Sequence, residues 1–319
     1  MVFLEELARR LSDPDGKSRE AKAREERIAR AKDPKEFCTI YLGHHFSKPF
    51  GEHHEDLFEL IRKLGTGLHA VRAEPREHGK STVLLVGCIL YCLAYQIKNF
   101  ILIIGTGASG PHFLTMQAEL DPDTGNELLL NDFPHLRPAK DFKGQLEKWT
   151  DSKIKLESGA TVAVATIYSR FRGLKEGRYR PDLILMDDPQ DEDGVTTEFV
   201  RNRAVARVRN TILSLGDGSC DYIFEGNLMH PESIIGTFLR EPGWDAKLYK
   251  AYNLPPKPGD PFPIGNTKTD GSPLWPERWP KERLEAQQKL LGPRAFDLEF
   301  LNEQRPREDV IYDSSKFKR

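Results

Sequence analysis

No apolar stretch of this 319-residue chain is long enough to cross a membrane. The most apolar helical run, residues 83–95, is short and interrupted by Gly87, against the roughly 18 residues a span needs. The N-terminus has no signal-peptide pattern. Cysteine is scarce: Cys38, Cys88, Cys92 and Cys220 lack metal-ligand pairing. Cys88 and Cys92 stand four apart on a predicted helix and read as small buried hydrophobes rather than a ligand pair. A reducing, cytosolic compartment is expected. Excess charge is missing too. A formal net charge of −2 argues against a generic polyanion binder, so any nucleic-acid contact would have to come from a local basic patch. No basic run stands out; Lys140, Lys143, Lys148, Lys153 and Lys155 are scattered candidates, equally at home on an ordinary surface. There is no internal repeat.

What is present is an alternation of strand-like and helix-like segments. Residues 1–45 form a densely charged arm, expected to be a helix exposed to solvent. A helix is predicted within 49–67, then strand 68–73, helix 80–97, strand 100–105 and a helix near 110–121. A polar excursion fills 121–150. Short strands follow at 153–157 and 161–166, then strand 182–187, helix 196–213 and strand 221–226. The alternation predicts an α/β fold with a mainly parallel, doubly wound sheet, its core spanning 46–254. Prolines 255, 256, 258, 261, 263, 273 and 276 make 255–303 a strap followed by a helix at 280–291. Residues 304–319 lose all periodicity and read as a linker.

The loop between strand 68–73 and helix 80–97 carries the first chemical signal: Pro75-Arg76-Glu77-His78-Gly79-Lys80-Ser81-Thr82. Gly-Lys-Ser between strand and helix suits a triphosphate: backbone N–H groups face the phosphates, the Lys80 ammonium meets the β and γ oxygens, and the Ser81 hydroxyl holds Mg²⁺. The usual G-x-x-x-x-G-K-[ST] pattern wants glycine where Glu74 stands. The bare tripeptide arises by chance in roughly one chain in six at average composition, so later residues must decide. Strand 182–187 ends in Asp187-Asp188. The first acid suits Mg²⁺ and the second can polarise an attacking water, although Asp188 is one methylene shorter than the glutamate many such ATPases use. Arg170 and Arg172, followed by Gly173, can present a guanidinium to developing phosphate charge; a solvated surface pair explains them equally well. Gly226-Asn227 ends strand 221–226, where a polar residue can sense the γ-phosphate or glycine can simply turn the chain.

Arg76 four residues before Lys80, Arg172-Gly173, Asp187-Asp188, Gly226-Asn227 and Leu274-Trp275-Pro276-Glu277-Arg278-Trp279 together resemble the large terminase subunit of tailed bacteriophages, over most of residues 45–305. Terminases often lack the first glycine and carry arginine where Arg76 stands. The resemblance implies a P-loop NTPase core of the RecA-like ASCE type that uses ATP and Mg²⁺ to drive double-stranded DNA into a procapsid. Lys80 and Arg76 would contact phosphates, Ser81 and Asp187 would serve Mg²⁺, and Asp188 would be the catalytic carboxylate. Arg172, or Arg170 in its place, would be the finger reaching a neighbouring subunit's ATP. Gly226-Asn227 would couple hydrolysis to DNA movement, and Phe50-Gly51-Glu52-His53-His54 falls where the family recognises adenine. Implied partners are the small terminase subunit, the portal and procapsid, and further copies in a homo-oligomeric ring; an isolated chain would be a monomer in the infected bacterial cytoplasm, with no membrane role. The family usually continues into an RNase H-like nuclease domain, for which residues 304–319 are too short, so no nuclease activity is expected. A helicase or other P-loop enzyme, or a nucleotide-binding packaging scaffold without efficient turnover, are the competing expectations.

Overall fold

The computed structural model of the chain describes residues 14–106, 109–171 and 173–303. Arg172, residues 1–13 of the arm and the 304–319 linker lie outside these. Seven strands make one sheet: β1 His69–Ala73, β2 Phe100–Gly105, β3 Lys153–Lys155, β4 Thr161–Ala165, β5 Leu183–Asp187, β6 Asp221–Gly226 and β7 Asp245–Leu248. Their order is β3-β4-β2-β5-β6-β1-β7, parallel throughout except for β3 against β4. The central strands are apolar without interruption because a parallel sheet is covered on both faces. Alternate residues then serve opposite layers. Ile101, Ile103, Leu183 and Leu185 face one core, and Leu102, Ile184, Met186 and Phe224 the other.

The first face is covered by α2 (Pro34–Tyr41), α3 (Glu52–Arg62), the helix that follows β1, and α5 (Ser109–Glu119), through Phe37, Leu57, Phe58, Leu84 and Phe113. The second is covered by α7 (Glu198–Asn210) and α8 (Ile234–Phe238), through Ala204, Val208 and Phe238. Ahead of α2, α1 (Pro14–Arg30) is mostly solvent-facing over residues 19–30; Arg27 clamps Asp132 through Nε at 2.7 Å and Nη2 at 2.8 Å. The helix after β1 is π-wound over Thr82–Cys88 and becomes α-helical as α4 (Ile89–Ala94); such windings concentrate at functional sites. Gly87 is required there, since a Cβ would stand 2.7 Å from Cys38 Sγ and push α2 away. All four cysteines are free and buried. Among the described residues no helix is long and apolar enough to cross a membrane.

The structure adds elements that periodicity did not signal. The polar excursion contains α6 (Glu127–Asp132), capped by Asn126 and anchored by buried Leu129 and Leu130. The short edge strand β7 has no apolar run; Trp244 beside it packs on Phe224 and Phe238 at centroid distances of 4.7 Å. After α9 (Lys281–Leu291), Gly292 at φ 77° starts α10 (Pro293–Leu301). Trp275, Trp279, Leu284, Phe296 and Phe300 form a small core joining the proline-rich strap to these two helices.

A buried polar knot sets the lower end of β1. Asp221, at the start of β6, accepts from Gly65 N–H at 2.5 Å and Leu68 N–H at 2.6 Å, and pairs with buried Lys98 at 2.7 Å. Asp221→Ala leaves that buried ammonium without its counter-charge, with only the Asp182 carbonyl at 2.8 Å to accept from it, and is expected to destabilise the protein by about 3–5 kcal/mol in urea denaturation. A loss under about 1 kcal/mol, the scale of an exposed pair, would show that the knot is not structural.

Candidate functional site

Strand register brings the sequence motifs together. Ala73 of β1 pairs with Gly226 of β6, and Asp187 of β5 pairs with Glu225. Three strands therefore end level, and the segments leaving them converge at the carboxyl edge, where open α/β sheets bind ligands. Lys80 Nζ donates to Asn227 Oδ1 at 3.3 Å, and Ser81 Oγ donates to Asp187 Oδ1 at 3.1 Å.

The 74–81 loop is tied down by its carbonyls. His78 Nδ1–H donates to the Arg76 carbonyl at 2.8 Å; Arg278 Nε–H at 2.9 Å and Trp279 Nε1–H at 3.3 Å hold the Glu77 carbonyl. His53 and His54 both reach the His78 carbonyl through Nε2, at 2.9 and 2.8 Å. Because Gly51 N–H donates to His54 Nδ1, the His54 proton is on Nε2. Burial depresses both imidazoles, His53 to about 4, so they are neutral donors near pH 7. Meanwhile the N–H groups of Glu77, His78 and Gly79 make no backbone hydrogen bond among the described residues. Glu77 at φ 57° and Gly79 at φ 82° curl the loop through left-handed conformations, the backbone form that builds a concave anion nest. Pro75, behind it, is buried.

Lys80 is buried among Asp188, Glu225, Asp187 and Glu74, whose charges outweigh its desolvation and raise its pKa. Asp188 holds an uncommon left-handed conformation, φ 39°, fixed by its N–H to the Glu225 carbonyl and by the Asn227 N–H on its Oδ1, both at 3.0 Å. Gly226 permits this: a Cβ there would lie 2.7 Å from Asp188 Oδ1. Glu74 and Glu225 are buried, and among the described residues the Glu74 carboxyl oxygens have no hydrogen-bond partner. Burial raises Glu225 well above the ordinary range, with Asp187 adding to it. Burial likewise pushes Glu74 from 4.5 to about 8 against the opposing charge of Lys80. Folding therefore takes up a proton at Glu74. Its contribution to stability is complete below the unfolded value and is lost as pH rises toward the folded one. Glu74→Gln is expected to flatten the decline in stability between about pH 5 and about pH 8, by up to about 1.4 kcal/mol per pH unit. An unchanged slope in urea denaturation would refute this.

A cavity of about 440 Å³ opens over the loop, its lining joining Gly79, Lys80, Ser81 and Asp188 to the rings of Phe50, His54 and Trp275. That volume suits a nucleotide-sized ligand. Trp275 is fixed by its Nε1–H on the Pro49 carbonyl at 2.8 Å and by the edge of His54, at a centroid distance of 4.5 Å. Within the predicted adenine segment, Phe50 and His54 line the cavity, while His53 supports the loop and Glu52 accepts from Thr267 Oγ1. Arg76 lines the cavity with an exposed side chain 3.4 Å from Glu299, and Thr82 begins the π-wound turn. Arg170 is elsewhere: exposed, it edges a second cavity of about 630 Å³ with Lys175, Arg180 and Arg207.

Two residues with evident work here carried no motif. Glu225 was hidden inside an apolar strand, and Glu74 showed only as a missing glycine. The loop-holding roles of His53, Arg278 and Trp279 depend on contacts across 25 to 202 positions. Of the scattered lysines, Lys148 and Lys153 pair with Glu176, and Lys155 pairs with Glu147, leaving Lys140 and Lys143 exposed.

The architecture is that of an α/β protein with a seven-stranded, mostly parallel sheet and a candidate anion site at its carboxyl edge. No protein-family model matches the chain, and no curated protein matches it.

Proposed function

We propose that this chain is an ATP-hydrolysing motor of the P-loop NTPase class, ASCE type, which translocates double-stranded DNA into a procapsid. One observation carries the ATPase part. Lys80, Ser81, Asp187, Asp188 and Asn227, drawn from three separate strand ends, converge beside one nucleotide-sized cavity. An additional strand, β6, lies between the loop strand β1 and the acidic strand β5, in keeping with the ASCE type. The DNA-packaging part rests on the motif resemblance to terminases, with Trp275, Arg278 and Trp279 of its tail motif seated against the phosphate loop or the segment beside it.

The donor set fits the substrate and its metal. Ser81 Oγ and Asp187 Oδ1 are hard oxygen ligands of the kind Mg²⁺ takes, and the free N–H groups of the loop suit phosphate oxygens. Bound Mg²⁺ would neutralise charge on the phosphates. Lys80, already oriented by Asn227, holds the terminal phosphate, and the cavity's rings take the base. Asp188, with Oδ1 occupied by the Asn227 N–H, aligns the attacking water and receives its proton at the other oxygen. Asn227 thereby touches both Lys80 and Asp188 and can report the state of the phosphate. Arg76 reaches the phosphates by leaving Glu299. Arg170 stands away from this cavity; as the resemblance implies, the finger, Arg172 or Arg170, would act on a neighbouring chain in a ring. An isolated monomer then turns over slowly, since such a finger is worth about 10³–10⁵ in rate.

Steady-state phosphate release with double-stranded DNA, single-stranded DNA or none tests this. Stimulation by duplex supports the motor; stimulation by single strands alone favours a helicase. A scaffold without efficient turnover has one observation in its favour, the short Asp188 carboxylate already engaged by Asn227. Nucleotide binding with no phosphate release in any arm would select it.

A further inference from the structure

We propose that His44, His45 and Glu119 form a binding site for a divalent transition-metal ion of the zinc class, separate from any Mg²⁺ at Ser81 and Asp187. A tight turn after α2, with His45 N–H on the Leu42 carbonyl at 2.8 Å and Phe46 N–H on the Gly43 carbonyl at 3.2 Å, sets the two imidazoles side by side, their centroids 4.2 Å apart. Both Nε2 atoms converge on one oxygen: His44 at 2.9 Å and His45 at 3.0 Å from Glu119 Oε1. The three donor atoms lie within 4.8 Å of one another. Metal–ligand bonds of about 2.0–2.1 Å in tetrahedral geometry separate donors by roughly 3.3 Å, so only small shifts are needed to admit an ion.

The support around the carboxylate is also built. Glu119 Oε2 accepts from Asn126 Nδ2 at 2.8 Å, and Asn126 is itself held by the Tyr41 carbonyl at 2.7 Å and the Leu129 N–H at 3.0 Å. Outer contacts of this kind orient metal-binding carboxylates. A simple ion pair needs only one imidazole. Here both imidazoles present Nε2 to the same carboxylate oxygen, so one ion among the three donor atoms can take all of them. Two imidazoles and a carboxylate select zinc-like ions over Mg²⁺, and three protein ligands leave a place for water. His44 is half exposed, which gives an entry path. The ion would clip the turn at 42–46 to the end of α5. His45 and Phe46 of that turn, and His112 of α5, also line the 440 Å³ cavity, so the clip would stiffen its wall.

The test uses tag-free, chelator-stripped protein without nucleotide, so it stands apart from the ATPase reading. Titration with Co²⁺ is expected to give visible d–d bands that Zn²⁺ abolishes and Mg²⁺ does not, and Zn²⁺ should raise the melting temperature. His44→Gln, on an exposed side chain, and Glu119→Gln should each remove the bands. Asn126→Ala should weaken binding by about 10–100-fold. Wild-type protein with neither bands nor a Zn²⁺-dependent thermal shift would overturn the proposal, as would bands that persist unchanged in a folded His44→Gln/His45→Gln double variant.

Discussion

Lys80→Met is expected to cut ATP hydrolysis by at least about 10²–10³-fold, the loss that follows removal of one preorganised charge from a transition state. The effect should be at the upper end because Lys80 is buried and is already oriented by Asn227 at 3.3 Å. The substitution also removes the positive charge facing Glu74, Glu225, Asp187 and Asp188. Uncompensated buried charge costs about 3–5 kcal/mol, so the variant should also lose stability near neutral pH. Lys80→Arg separates the two effects. It keeps the charge, and with it most of the stability, but a planar guanidinium does not replace a compact ammonium at a phosphate, so hydrolysis should still fall. Phosphate release and thermal denaturation, measured on both variants, check this. A folded Lys80→Met protein that hydrolyses ATP at the wild-type rate would end the ATPase proposal.

Asp188→Asn should lower turnover by about 10²–10⁴-fold, the contribution of a positioned general base, while nucleotide binding persists. The amide is isosteric and its oxygen can still accept the Asn227 N–H, so the strained turn at 188 and the loop around Lys80 are retained. Loss of one negative charge beside the phosphates should, if anything, tighten binding. Fluorescent-nucleotide titration together with single-turnover hydrolysis separates the steps; a parallel loss of binding would make Asp188 a structural or metal residue instead. Mixing Asp188→Ala with Arg172→Ala protein under ring-forming conditions extends the test. Each chain supplies what the other lacks at a shared interface, so recovered activity is the expected result and its absence counts against a finger acting between subunits.

The parallel sheet was legible because buried strands must be apolar along their whole length, as residues 100–104 and 183–186 are. Edge strand β7 was not, because Asp245-Ala-Lys-Leu248 draws its place from pairing with β1 rather than from its own composition. α6 hid in a polar stretch because its two buried leucines suffice once Asn126 caps it. The two acids at 187–188 and the Gly-Lys-Ser loop could be read directly, since their residue types announce their chemistry. Glu74 and Glu225 could not: a lone glutamate in a strand says nothing about its neighbours until the fold buries it.

By itself, the sequence determined the α/β alternation, the phosphate-loop-like segment and the acids at 187–188, because these depend on local periodicity and residue chemistry. Only the tertiary structure decided that they meet. Strand order and register level Ala73, Asp187 and Gly226 at one edge, and the strap, folded back across some 200 positions, fixes the loop's carbonyls. Local patterning cannot encode such contacts. They follow from which apolar faces pack together, and that choice belongs to the whole chain.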